Sequence, residues 1–176
     1  MRDVVVVSAV RTAIGTFGGS LKDVPPIELG TTVVREALSR AQVNGADVGH
    51  VVFGHVVNTE PKDMYLSRVA AIQAGCGQET PAFNVNRLCG SGLQAIVSAA
   101  QSIQLGDCDI AIGGGAENMS RAPFASAEVR WMTLPRLSRS IASTNAVPRA
   151  STPSVCSPSR LPFELKVTRT KSGVSM

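Results

Sequence analysis

The stretch NVNRLCGSGLQAIVSAAQSI, residues 84–103, decides the fold and raises the question of function. It continues a short apolar run, passes through Cys89 and a Gly-Ser-Gly sequence, and then spaces its apolar residues as a helix does. We predict a strand that stops at Asn86, a turn, and a helix that ends at Gly106. The apolar stripe of that helix consists of Leu93, Ile96, Val97 and Ala100. The pattern therefore places a lone thiol between a strand and a helix N-terminus.

Strand and helix patterns alternate on both sides of this stretch. The strand patterns cover residues 3–10, 48–57, 81–86 and the run that starts at 108, and the helix patterns cover 27–42 and 64–75. Such alternation predicts a three-layer α/β domain. The glycine run 113–115 follows a strand, but neither a G-x-G-x-x-G spacing nor a helix pattern accompanies it. We therefore predict a tight turn near Cys89 there, and not a phosphate loop.

Composition separates the chain into two parts near residue 131. The 176 residues suggest one domain of ordinary size, and 44% hydrophobic with 4% aromatic residues predicts a core of Val, Ile, Leu and Ala. Residues 1–131 hold 10 Lys/Arg and 12 Asp/Glu, whereas residues 132–176 hold 7 Lys/Arg and one acidic residue. Residues 132–176 also contain nine serines and five prolines without sustained periodicity, so we predict a largely disordered tail.

Several classes of function are disfavoured by the same composition. The basic tail lacks the interleaved aromatic residues of a nucleic-acid stacking platform. The cysteines form no C-x-x-C pair and no zinc-site spacing, so we expect no metal. The N-terminal apolar run is too short for a signal peptide, and no run approaches the roughly 20 apolar residues of a membrane span. We expect a cytoplasmic protein with reduced thiols.

The position of Cys89 suits a nucleophile. A thiol attacks as the thiolate, and the partial positive charge of a helix N-terminus stabilises that anion. Gly90 and Gly92 leave room for a substrate carbonyl, and the Cys89 N–H could stabilise the oxygen of an attacked thioester. Ser91 is a rival nucleophile without an evident base. The alternative to both is a buried structural cysteine in a tight turn.

Three segments in this order resemble the N-terminal half of a thiolase, most closely the bacterial β-ketothiolases (acetyl-CoA acyltransferases). They are VVVVSAVRTAIGTFGGSLKD, NVNRLCGSGLQAI and AIGGGAENMSRAPF, and the resemblance runs from residue 1 to about 131. It implies one half of a duplicated, layered α/β fold, with a thiolase N-terminal domain at 1–131 and the unrelated tail at 132–176. It further implies an acyltransferase that acts on coenzyme A thioesters through an acyl intermediate on Cys89, with no metal and no cofactor, in a homo-oligomer.

The sequence also departs from the thiolase pattern. The family's Gly-His-Pro, Asn-Glu-Ala-Phe and C-terminal Cys-x-Gly segments do not occur in these 176 residues. His50 and His55 fall on opposite faces of the second predicted strand, and we expect neither to replace the missing base. We expect Cys76 and Cys108 to be packing residues, and Cys156 not to supply the second catalytic cysteine.

Two interpretations of function follow. In the first, the chain is a thiolase-type acyltransferase that is inactive alone. In the second, it is a non-catalytic truncated or frame-shifted thiolase fragment, at most a partner for another subunit. In either case the resemblance implies that the Cys89 helix is a central helix of the duplicated fold. The half fold would then expose an apolar face and would aggregate, pair with itself or depend on a partner chain.

Overall fold

The computed structural model describes residues 2–123 and the backbone of residues 165–170. The strands are β1 (Val4–Val10), β2 (His50–Gly54), β3 (Ala82–Val85), β4 (Ile110–Gly115) and β5 (Leu165–Thr170). The α-helices are α1 (Pro26–Ala41), α2 (Leu66–Gln73) and α3 (Ser91–Leu105), with short 3₁₀ turns at Gly45–Asp47, Pro61–Tyr65 and Met119–Arg121. No helix within the described ranges is long and apolar enough to cross a membrane.

The five strands form one mixed sheet in the order β1-β5-β4-β2-β3. β2 runs parallel to both of its neighbours, so that Val52 lies opposite Phe83 on β3 and Gly113 on β4. β5 is antiparallel to β1 and to β4. Because β2, β3 and β4 are parallel, their carboxyl ends meet at one edge of the sheet, where ligands usually bind in α/β proteins.

Helices cover both faces of the sheet, which confirms the predicted three-layer α/β arrangement. Val51 and Phe53 of β2 pack with residues of α1 and α2, whereas Val52 between them packs with α3. This alternation follows from the period of two along a strand. Valine, isoleucine, leucine and alanine dominate both cores, as the composition predicts.

α3 lies unusually close to the sheet because small residues meet on both sides. Its buried residues are Ser91, Ala95, Ala99 and Ile103. A Cβ added to Gly113 of β4 would stand 2.7 Å from the Ile96 Cα, so only glycine fits there. The predicted helix and its end at Gly106 are confirmed. Two residues of the apolar stripe named from the sequence do not pack on the sheet, since Leu93 is 69% exposed and Val97 42% exposed.

Two local predictions near the sheet edge are wrong. Residues 113–115 form no tight turn, because all three lie in β4 and pair with residues 52–54 of β2. β2 is also shorter than the predicted 48–57. It stops at Gly54 because the Glu117 carboxylate accepts the N–H groups of Val56 and Val57, both at 3.0 Å, and so removes them from strand pairing.

The tail contributes a strand, which corrects the predicted lack of structure for six of its residues. Residues 165–170 read LKVTRT, a proline-free stretch with three β-branched residues, as strands prefer. β1 and β4 run in the same direction, and a single antiparallel strand between them pairs with both. The remaining predictions for the tail, including the one for Cys156, concern residues outside the described ranges.

Candidate active site

Cys89 lies at the carboxyl edge of the three parallel strands. It comes four residues after the end of β3 and two residues before the start of α3. Its thiol is free and its side chain is exposed. The predicted strand–turn–helix arrangement is confirmed, and the alternative of a buried structural cysteine is wrong. An exposed thiol before a helix N-terminus is accessible to a substrate carbonyl, as nucleophilic attack requires.

The turn that carries Cys89 contains a left-handed residue. Leu88 has φ 49°, a conformation that non-glycine residues adopt rarely. Its N–H donates to the Asn86 Oδ1 at 3.1 Å, which closes an Asx turn. The Gly90 N–H donates to the Arg87 carbonyl, and the Ser91 N–H to the Leu88 carbonyl, each at 3.0 Å. Backbone and side-chain hydrogen bonds together define the path from β3 into α3.

Ser91 supports this turn and is not a rival nucleophile. Its side chain is buried, with the residue 3% exposed. The hydroxyl donates to the Leu88 carbonyl at 2.6 Å and accepts the Arg87 N–H at 2.8 Å. A hydroxyl that is buried and holds backbone groups on both sides is unavailable to a substrate. The geometry therefore favours Cys89 over Ser91 as the reactive group.

Within the described residues, neither the backbone conformation nor crowding requires a glycine at position 90. Its φ is −90°, which any residue tolerates. A Cβ at this position would lie 3.4 Å from the Arg87 carbonyl oxygen, an ordinary contact. The role predicted for this glycine from the sequence, which is to leave room for a substrate carbonyl, stays a prediction.

His55 joins the ends of β2 and β4. Its imidazole is buried, and Nδ1 lies 2.8 Å from the Ala116 carbonyl oxygen, so Nδ1 carries a proton and donates it. The Glu117 Oε1 lies 3.6 Å from the same nitrogen. His50 lies edge-on to Phe83, with ring centroids 5.5 Å apart, and burial is the main cause that lowers the pKa of its imidazole. Within the described ranges no hydrogen bond connects either histidine to Cys89.

A cleft of about 230 Å³ lies beside the turn. Its lining consists of His55, Val56, Asn58, Met64, Asn84 and Asn86. Asn86 belongs both to this cleft and to the Asx turn. Asn86 and the supporting role of Ser91 were not predicted from the sequence. An asparagine two residues before a turn position is a recognised signal for an Asx turn and could have revealed Asn86.

Asn118 fastens the long loop after β1 to the end of β4. Its Nδ2 donates to the carbonyl oxygens of Leu21, Lys22 and Val24 at 2.7–3.1 Å. The same side chain accepts the Ser120 N–H through Oδ1 at 3.0 Å. Together with Glu117, this residue gives the AENMS segment a structural role at the edge of the sheet where Cys89 lies.

The other described cysteines are packing residues, as predicted. Cys76 is buried, and burial raises the pKa of its thiol to about 11. The pKa of the partly buried Cys108 thiol is raised first by burial and then by the charges of Asp107 and Asp109. In the part of the chain that the structure describes, no group of three His, Cys, Asp or Glu residues could hold a metal ion.

A family model described as "Thiolase, N-terminal domain" matches residues 4–149. Beta-ketothiolase BktB of Cupriavidus necator is 73% identical over 130 residues, which are 74% of this chain and 33% of the relative. The cytosolic acetyl-CoA acetyltransferase of Mus musculus is 50% identical over 120 residues, 68% of this chain and 30% of the relative. The chain spans about a third of the length of the curated relatives it matches.

Solved structures show the same fold. Human mitochondrial 3-ketoacyl-CoA thiolase gives a TM-score of 0.71 at 39% identity, and the likeness covers 76% of this chain and 34% of that one. Another solved structure of the human enzyme is a complex with CoA. The acetyl-CoA acetyltransferase of Bacillus anthracis gives a TM-score of 0.70 at 40% identity, over 79% of this chain and 35% of that one. The predicted layered α/β fold is confirmed.

Proposed function

The chain belongs to the thiolase family, as the motifs predict, and on that premise we propose that Cys89 accepts an acyl group from a coenzyme A thioester. The observation that carries the proposal is the exposed thiol of Cys89 at the carboxyl edge of the sheet, directly before α3. Gly90 adds no side chain next to Cys89, and Ser91 is withdrawn from solvent. These features suit a thiolate that attacks a carbonyl carbon.

The proposed step balances as follows. The Cys89 thiolate attacks the carbonyl carbon of an acyl-CoA and forms a new thioester, while the bond to the CoA sulfur breaks and CoA leaves as its thiolate. With a 3-ketoacyl-CoA, the sulfur attacks the 3-keto carbon instead. The carbon–carbon bond then breaks, and the acetyl-CoA carbanion takes up a proton. No metal, redox cofactor or assigned cofactor-binding residue takes part in the proposed steps.

We propose that these 176 residues undergo acylation without turnover. They contain no Gly-His-Pro segment to deprotonate the thiol and no Cys-x-Gly segment to handle the carbanion proton. The buried His55 is bound through Nδ1 to the Ala116 carbonyl oxygen, and within the described residues no hydrogen bond connects it to Cys89. We expect no cleavage of acetoacetyl-CoA above background. Cleavage that disappears in Cys89→Ser would contradict this expectation.

A protection experiment tests the acylation step. The chain is incubated with acetyl-CoA, freed of excess reagent and treated briefly with iodoacetamide, and the alkylation of each thiol is quantified on peptides. We expect acetyl-CoA to protect Cys89 but not Cys108, and hydroxylamine, which cleaves thioesters, to restore the labelling of Cys89. Equal labelling of Cys89 with and without acetyl-CoA would overturn the proposal.

A second candidate function rests on the change in composition near residue 131. In this candidate the chain is a non-catalytic fragment, truncated or frame-shifted, and at most a partner for another thiolase subunit. The family model extends past this point to residue 149, and the boundary between domain and tail stays a prediction. Sequencing the coding DNA from the Phe124 codon onward separates the two candidates. A thiolase continuation with Gly-His-Pro in another frame would favour the fragment.

The wider setting of the reaction is also a proposal. We propose acyl-CoA substrates of fatty acid metabolism, supported by relatives named acetyl-CoA acetyltransferase and 3-ketoacyl-CoA thiolase. The exposed apolar face of α3 supports the proposal of a homo-oligomer. The three free thiols of the described residues support the proposal of a cytoplasmic location. The relatives include both cytosolic and mitochondrial proteins. Fractionation of the source cells would test the proposed cytoplasmic location.

A further inference from the structure

We propose that Asn86 and Ser91 are positioning residues, which hold Leu88 in its left-handed conformation and thereby aim the thiol of Cys89. This inference rests on the proposed function, in which Cys89 is the nucleophile. It concerns the turn itself, and its test requires no coenzyme A substrate.

The conformation of Leu88 needs support that packing does not give. A φ of 49° brings the Cβ of a non-glycine residue close to the following carbonyl and costs free energy. The Leu88 side chain is 70% exposed, so it is not held by a surrounding core. Hydrogen bonds of the turn must therefore stabilise this backbone conformation.

Two side chains supply those hydrogen bonds from opposite ends of the turn. The Asn86 Oδ1 accepts the Leu88 N–H at 3.1 Å. The buried Ser91 hydroxyl accepts the Arg87 N–H at 2.8 Å and donates to the Leu88 carbonyl at 2.6 Å. Both polar backbone groups of Leu88 are thus bound by a side chain. The φ and ψ of Leu88 set the direction in which the chain leaves toward Cys89.

Asn86 and Ser91 both lie at or next to regular secondary structure, which restricts their movement. Ser91 is the first residue of α3 and is buried against the sheet, so its hydroxyl is fixed by the packing of the helix. Asn86 directly follows β3, so its backbone continues from a paired strand. The Cys89 turn therefore lies between the end of β3 and the buried first residue of α3. Losing either hydrogen-bonding side chain should let Leu88 relax to negative φ and turn the thiol away from its present direction.

Alkylation rates of Cys89 with iodoacetamide test the proposal in the intact 176-residue chain. We expect Asn86→Ala to slow the labelling of Cys89 by about three- to tenfold, the factor that corresponds to one ordinary hydrogen bond. Asn86→Ser should recover part of the rate, because serine keeps an uncharged oxygen acceptor in the turn. Buried Cys76 is the internal control, since its labelling reports global unfolding.

A double-mutant cycle separates positioning from general loss of structure. Glycine adopts positive φ without cost, so Leu88→Gly should make Asn86 dispensable. In the Leu88→Gly background we expect Asn86→Ala to leave the Cys89 rate almost unchanged. An equal slowing in both backgrounds, an unchanged rate in Asn86→Ala alone, or faster labelling of Cys76 in that variant would overturn the proposal for Asn86.

Ser91 is tested with a matched serine of the same helix. Ser91→Ala should slow the labelling of Cys89, whereas Ser102→Ala should not. Ser102 donates to the Ser98 carbonyl at 3.3 Å, within α3 and away from the turn. Equal Cys89 rates in the two variants would overturn the role of Ser91. If acetyl-CoA protects Cys89 while the variants label like the parent chain, the positioning inference fails and the proposed function stands.

Discussion

Gly54, the last residue of β2, lies directly against the backbone of Ser91, the first residue of α3. A Cβ added to Gly54 would stand 2.5 Å from the carbonyl carbon of Ser91 and 2.6 Å from the nitrogen of Gly92. Side chains do not normally make such contacts, so the sheet and the helix N-terminus meet backbone to backbone. The position of the Cys89 turn is consequently fixed by the end of a central strand.

Gly54→Ala should destabilise the protein by about 1–3 kcal/mol or more, because the atoms in its way are backbone and cannot move aside. Urea unfolding followed by circular dichroism measures the loss. Gly77→Ala is the matched control, since its nearest neighbours are the side-chain oxygens of Glu79 and Thr80 at 3.2 Å and 3.3 Å. A Gly54→Ala variant as stable as Gly77→Ala would show that the close approach is not required.

Cys76 should make stability depend on alkaline pH. Burial raises the pKa of its thiol from 9.0 to about 11, so the unfolded chain loses this proton at lower pH than the folded chain does. Its contribution is therefore complete below pH 9 and is lost as the pH rises from about 9 to 11. Unfolding free energies of the parent chain and of Cys76→Ala, measured across this range, should converge as the pH rises. A constant difference between them would contradict the prediction.

The outer face of α3 should drive self-association. Leu93, Val97 and Leu105 are 69%, 42% and 79% exposed, which is typical of a surface that another protein surface covers. We expect the chain to form dimers or larger species in sedimentation velocity, and Leu93→Lys with Val97→Lys to shift it toward monomer. Phe17→Lys is the control, because Phe17 is 82% exposed but lies on the loop after β1. A monomeric parent chain, or an equal effect of Phe17→Lys, would contradict this account.

β5 should stabilise the sheet from within. Val167 lies opposite Ser8 on β1 and Ile112 on β4, so the strand is paired along both edges. Proline removes a ladder N–H and is tolerated poorly in such a strand. Val167→Pro should therefore speed hydrogen exchange of β1 and β4 amides, whereas Val174→Pro, beyond the last residue of β5, should not. Unchanged exchange in Val167→Pro would show that the sheet does not depend on this strand.

The sequence predicted those features that local patterns determine. Strand and helix periodicity located β1, α1 and β3 to within one or two residues, and Gly106 marked the end of α3. The position of Cys89 before a helix also followed from local pattern.

Features that depend on distant contacts were not predicted. The side of α3 that faces the sheet depends on Gly54 of β2 and Gly113 of β4, which are distant from the helix in sequence. β5 depends on the space between β1 and β4 as well as on its own short pattern, and that space is not visible in the sequence. The hydrogen bonds of Ser91 to Arg87 and Leu88 depend on a turn conformation that the motif alone does not specify.

Direct detection of an acyl group on Cys89 tests the central claim most directly. The chain is exposed to isotopically labelled acetyl-CoA, quenched in acid and digested, and the label is mapped by peptide mass spectrometry, with Cys89→Ser in parallel. We predict a labelled acetyl thioester on the peptide that contains Cys89, absent from the variant and removed by hydroxylamine. Label confined to Cys108 or to lysine side chains, with none on Cys89, would contradict the assignment of Cys89 as the acyl acceptor.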